Sequence, residues 1–121
     1  MKIVILNGEL RSGMQMYLAL SNHYNVEVAL DDNDLMRLLD AESTDITFME
    51  LNCNQENNAG GEELRTVKKI LQKHPQTRVI GICDQVDQQT RKQYTRNGIT
   101  RVITKPIKNR ELFETIESGR A

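Results

Sequence analysis

Apolar residues in this chain fall into short β-branched blocks, each followed by a longer stretch in which they recur every three or four positions. The first block, KIVIL at residues 2–6, reads as a strand. Behind Asn7 and Gly8, the residues Leu10, Met14, Tyr17, Leu18 and Ser21 fall at helical spacing and predict a helix from Glu9 to Ser21. VEVAL at 26–30 is a second strand, and Asn33 is the expected N-cap of a short helix carrying Leu35, Met36, Leu38 and Leu39. ITFMELN at 46–52 is a third strand, unusual in having a carboxylate, Glu50, where it leaves the apolar run. NCNQENNAGG at 52–61 predicts a loop.

A helix from Glu62 to Lys73 buries Leu64, Val67, Ile70 and Leu71, and Pro75 ends it. RVIGIC at 78–83 is a fourth strand. A mostly polar helix follows from Val86 to Arg96, with Gly98 as its stop. RVIT at 101–104 is a short fifth strand, followed by Lys105-Pro106, and Asn109 caps a last helix holding Leu112, Phe113 and Ile116. Strands that are apolar throughout, each followed by a helix, imply a parallel sheet covered on both faces. With no repeat, low-complexity tract or linker, residues 1–121 are read as one domain.

Composition narrows the function. Sixteen Lys and Arg nearly balance seventeen Asp and Glu, so no polybasic surface points to nucleic acid or anionic lipid. No apolar run approaches the ~18–20 residues of a membrane span, and MKIVIL runs straight into polar residues, unlike a signal peptide. Cys53 and Cys83 match no metal or redox spacing and read as small apolar fillers, with the reducing cytoplasm the simplest location. His23 and His74 read as surface residues at helix ends. QENNAGG, Gln55 to Gly61, lacks both the order and the basic residue of a phosphate loop.

One stretch carries more. GITRVITKPI, residues 98–107, places Lys-Pro directly after the fifth strand. Together with the five-fold strand–helix rhythm, it resembles the receiver domain of two-component response regulators over essentially the whole chain. The resemblance implies an α/β, flavodoxin or CheY-like doubly wound sheet of five parallel strands in the order 2-1-3-4-5. Its site lies at the carboxyl ends of the strands, where the order switches. A cis bond between Lys105 and Pro106 belongs to the same expectation, as does the reading of the chain as one domain of a longer regulator.

In that family, two acids after the first strand hold Mg²⁺ and an Asp ending the third accepts the phosphoryl group. A Ser or Thr after the fourth strand contacts the phosphoryl group, and a Lys after the fifth pairs with it. Here the acidic pair falls on Asn7 and Gly8, with Glu9 next to them; the phosphoacceptor falls on Glu50 and the hydroxyl on Cys83. Only Lys105 matches. The family's switch aromatic falls on Val102, and the loop after the third strand begins Cys53-Asn54 and is longer than usual.

Each replacement weakens phosphoryl transfer. Mg²⁺ wants carboxylate oxygens in near-octahedral geometry, whereas Asn7 offers one amide oxygen and Gly8 no side chain. Without the metal, the charge of the transferring group loses its main stabiliser. Glu50 places its carboxylate one methylene too far out for a reaction sensitive to about 1 Å. A thiol at Cys83 is a weak donor. The expected domain is therefore not an enzyme, has lost Mg²⁺ as a cofactor, and works by contact with a protein such as a histidine kinase or an output domain. Glu50 either forms an ion pair with Lys105 or imitates a phosphorylated Asp; the missing hydroxyl and aromatic favour the ion pair. The alternatives are a working phosphoacceptor in a histidine-kinase phosphorelay, and a small ligand-binding or enzyme domain on the same fold. For the last, the sequence offers neither a nucleotide fingerprint nor a nucleophile–base pair.

Overall fold

The computed structural model describes residues 1–6, 10–51 and 61–118. Every apolar block forms a strand: β1 (Lys2–Leu6), β2 (Asn25–Ala29), β3 (Ile46–Glu50), β4 (Arg78–Cys83) and β5 (Arg101–Thr104). The helices between and after them are α1 (Leu10–Leu20), α2 (Asp32–Ala41), α3 (Gly61–Lys73), α4 (Gln88–Arg96) and α5 (Asn109–Ser118). All strand pairs are parallel, in the order β2-β1-β3-β4-β5, which is the expected doubly wound sheet.

The two-residue period of the strands divides the core. Ile3, Ile5, Phe48, Ile80 and Ile103 face α1 and α5, where Met16, Leu20, Leu112 and Ile116 meet them. Val4, Met49, Val79 and Val102 face the opposite way, toward Leu35 and Leu39 of α2, Val67 and Ile70 of α3 and Tyr94 of α4. Between these faces Gly81 leaves room for Leu51, whose side chain lies where a Cβ at position 81 would project. Gly98 sits at φ 108° just past α4, the left-handed conformation that the sequence requires of a helix stop.

Helix starts differ from the sequence reading by one or two residues. Asp31, not Asn33, caps α2: its carboxylate accepts from the Asp34 N–H at 2.8 Å. Asp87 caps α4, which therefore begins at Gln88 and not Val86. Asn109 lies inside α5, because Leu112 N–H already bonds the Lys108 carbonyl. β2 and β3 end one and two residues earlier than expected. His74 is also not a plain surface residue. Its Nε2 lies 2.8 Å from Asp40 Oδ1, joining the ends of α3 and α2.

Two basic residues bind the amino ends of the strands. Lys2, 5% exposed, sends its ammonium to Glu27 at 2.7 Å and Glu42 at 3.3 Å, and its N–H to Asp45 at 2.9 Å. Arg78, the first residue of β4, donates to the Ile116 carbonyl at 2.9 Å and the Thr115 carbonyl at 3.5 Å, covering the last turn of α5. Among the described residues no helix is long and apolar enough to cross a membrane.

Candidate functional site

The carboxyl ends of β3, β4 and β5 converge through their register. Glu50 stands opposite Ile82, and Cys83 stands opposite Thr104. One residue further, the Lys105 N–H donates to the Cys83 carbonyl at 2.9 Å, and the Lys105–Pro106 bond is cis. Lys105 thereby leaves β5 with its side chain directed back across β4 toward β3.

Its ammonium meets Glu50. Nζ lies 2.9 Å from Oε1 and 3.2 Å from Oε2, so it straddles the carboxylate. Oε2 takes the well-angled hydrogen bond; Oε1 is enclosed and, among the described residues, is held by the charge of the ammonium alone. The two side chains are 18% and 23% exposed, which makes a partly desolvated pair whose members depend on each other. Asp84 stands further off, its Oδ1 3.8 Å from Nζ and its side chain 71% exposed.

Each member of the pair lines a hollow. Glu50 helps to line one of about 470 Å³, which reaches over Leu6 and Met49 to the start of α2 and α3. Lys105 and Pro106 border another of about 350 Å³ against Met16 of α1 and Leu112 of α5.

Cys83 lies at the same sheet end, but it is 1% exposed and belongs to the hydrophobic cluster with Tyr94, Ile99 and Val102. Val102 is 3% exposed in that cluster, and its carbonyl accepts a hydrogen bond from Arg91 Nη1 at 2.6 Å. Sequence reasoning missed Arg91. The signal available was its place three residues before the buried Tyr94, on the side of α4 that faces the sheet. Asn7, Gly8, Glu9 and Cys53 lie outside the described residues.

A family model described as the response regulator receiver domain matches residues 7–117 of the chain. Among solved structures, a response regulator from Thermotoga maritima is similar over 97% of this chain and 94% of its own, with a TM-score of 0.83 at 20% identity. A CheY-like protein (tadZ) from Pseudomonas aeruginosa is similar over 97% of both chains, with a TM-score of 0.80 at 22% identity. NtrX from Brucella abortus gives 0.82 at 19% identity, over 97% of this chain and 26% of NtrX. At these identities the structural likenesses speak for the fold. Compared with curated proteins, the sequence has no match.

Proposed function

The chain belongs to the response regulator receiver family, and on that premise we propose that it is an atypical receiver, a protein-interaction module that works without being phosphorylated. The observation that carries this reading is the contact between Glu50 and Lys105. Glu50 stands where the family resemblance puts the phosphoacceptor, and its carboxylate is already engaged by the cation that would pair with a phosphoryl group. A nucleophile tied up in this way starts from a stabilised ground state, and its in-line approach is blocked on the ammonium side.

We read the site as unsuited to Mg²⁺, since Asn7 and Gly8 stand where the resemblance puts its two acidic ligands. A hard, octahedral ion needs several oxygens at about 2.0–2.1 Å. Here Glu50 spends its charge on Lys105, and among the described residues no three acidic, His or Cys side chains come together. No metal-dependent step is assigned to the domain, and no enzymatic activity. The burial of Cys83 and Val102 in one apolar cluster supports the same reading, because a thiol is a weaker donor than the family's hydroxyl and valine is no aromatic. The partner is then a protein, either a kinase or an output domain, and the location the cytoplasm.

Mg²⁺ and beryllofluoride, titrated together while amide shifts are followed, test the proposal. Unchanged spectra at millimolar Mg²⁺ are expected. Saturable shifts around Glu50 and Lys105, or incorporation of phosphate from acetyl phosphate, overturn it in favour of a working phosphoacceptor.

A further inference from the structure

We infer that the two edges of the sheet bind one another between copies of this chain, acidic edge to basic edge, in a head-to-tail assembly. The inference goes beyond the reading of the domain as a receiver and does not depend on whether Glu50 accepts phosphate. The near balance of the whole chain, 16 Lys and Arg against 17 Asp and Glu, conceals a segregation of charge along the sheet. β2 and β5 are its outermost strands, with β1, β3 and β4 between them, so they lie about 19 Å apart at the usual strand spacing.

At the β2 edge, residues 25–45 carry seven Asp and Glu and one Arg. Part of that charge is answered: Arg37 pairs with Asp34, Lys2 serves both Glu27 and Glu42, and Lys73 and His74 share Asp40. Three permanent cations thus meet seven acids, and four negative charges remain among the described residues. Asp31, Asp32 and Asp45 stand exposed within this excess. At the β5 edge the sign is reversed. Residues 87–104 hold Arg91, Lys92, Arg96 and Arg101 and a single acid, the α4 cap Asp87, an excess of three positive charges. Arg91 donates to a neutral acceptor, the Val102 carbonyl, while Lys92, Arg96 and Arg101 are exposed and meet no acid among the described residues.

Helix dipoles do not account for the pattern. They favour acids in the first turn and bases in the last. α2 carries Asp40 in its last turn with no base there, and α4 has no acid in its first turn and carries Arg91 and Lys92 close behind its cap. The two excesses are nearly equal and opposite, and they lie on surfaces that one copy cannot bring together. A second copy can, so each edge finds its complement in the opposite edge of a neighbour. Such a contact joins two different patches and leaves one edge free at each end. The assembly therefore grows as an open chain instead of closing as a two-fold dimer. Arg91 already holds the carbonyl of Val102 on the outermost strand, so the contact is made by side chains. Exposed ion pairs are individually weak and screened, which makes it reversible and salt-sensitive.

Sedimentation equilibrium of the full chain tests this. At about 1 mM protein and about 20 mM salt the average mass should pass that of a dimer, and at about 0.5 M salt it should return to the 13.9 kDa of one chain. Arg96→Gln with Arg101→Gln neutralises the basic edge. Asp31→Asn with Asp32→Asn neutralises the acidic edge and keeps the acceptors for the Asp34 N–H and the Thr66 hydroxyl. Each double variant should sediment as a monomer alone. Mixed in equal amounts they should form heterodimers and nothing larger, because each retains the edge the other lacks. A control pair on α5, Glu111→Gln with Glu114→Gln, should associate as the parent does. A parent that stays monomeric at low salt, a double variant that associates unaided, or a mixture that does not pair overturns the inference. So does a monomeric parent whose basic edge binds polyglutamate, which would assign that edge to a different acidic protein.

Discussion

A lysine-centred ion cluster sits at each end of the sheet, and the two distribute burial in opposite ways. At the amino end the side chain of Lys2 is 6% exposed, while those of its partners Glu27 and Glu42 are 42% and 57% exposed. At the carboxyl end Lys105 and Glu50 are both partly buried, at 18% and 23%. The cost of desolvation at the first cluster falls on the cation alone. At the second it is shared, and one oxygen of Glu50 is enclosed with nothing but the ammonium beside it among the described residues. The identity of a lysine therefore says little about its importance; what decides is the state of the partner left behind when it is removed.

The same substitution at both ends tests that difference. Lys105→Met should be the more damaging, at about 2 kcal/mol by urea unfolding, because it strands a partly buried carboxylate. If it melts like the parent, Glu50 is effectively solvated and the contrast between the two ends disappears. Adding Glu50→Gln to Lys105→Met should restore about 1 kcal/mol, the coupling expected of residues in direct contact. A strictly additive double variant would show that the pair does not interact.

Lys2→Met should cost less than about 1 kcal/mol, since methionine fills the buried site and two exposed glutamates return to water. Its effect also has a pH signature. Burial pulls the Lys2 ammonium down, but hydrogen bonds and charge from Glu27 and Glu42 outweigh it and leave the group above its ordinary 10.5. A raised folded value means that the ion cluster's contribution is fully present below pH 10.5 and is lost as pH rises through the folded value. The gap between parent and variant should thus stay constant at neutral pH and change only above pH 10.5. A gap that changes between pH 6 and 8 would mean another group is responsible.

The smallest effect belongs to Asp40, exposed between the ends of α2 and α3. The His74 contact, followed by the charges of Lys73 and His74, holds its carboxyl below the ordinary 3.8 despite an opposing push from desolvation. A depressed folded value gives stability above pH 3.8 that disappears as pH falls through the folded value. Asp40→Asn should lower the melting point slightly at neutral pH and match the parent in strong acid. A difference that persists in strong acid would assign the effect to shape and not charge.

The parts of this architecture visible in the sequence were those written locally. β4 and β5 appear where RVIGIC and RVIT predict them, and Gly98 stops α4 because only a left-handed residue fits there. The Lys105–Glu50 pair spans 55 residues and is legible only through the resemblance, which puts both at neighbouring strand ends. Cap choice was harder, because Asp31, Asp32, Asn33 and Asp34 are all capable and tertiary placement selects Asp31. The Asp34 carboxylate is spent instead on the Leu30 N–H and on Arg37. Arg91 on the Val102 carbonyl and His74 on Asp40 join segments distant in sequence, and nothing in the local pattern records which of them meet.

Arg78 shows how such distant joins tie the molecule together. The carbonyls that α5 leaves open at its last turn are covered by a residue 38 positions earlier, at the root of β4. α5 thus borrows its terminator from the middle of the chain. Because Arg78 is anchored in the interior of a five-stranded sheet, the last turn of α5 cannot fray without breaking these bonds. Its opening is tied to the sheet, so the chain's final helix belongs to the same cooperative unit as its central strands.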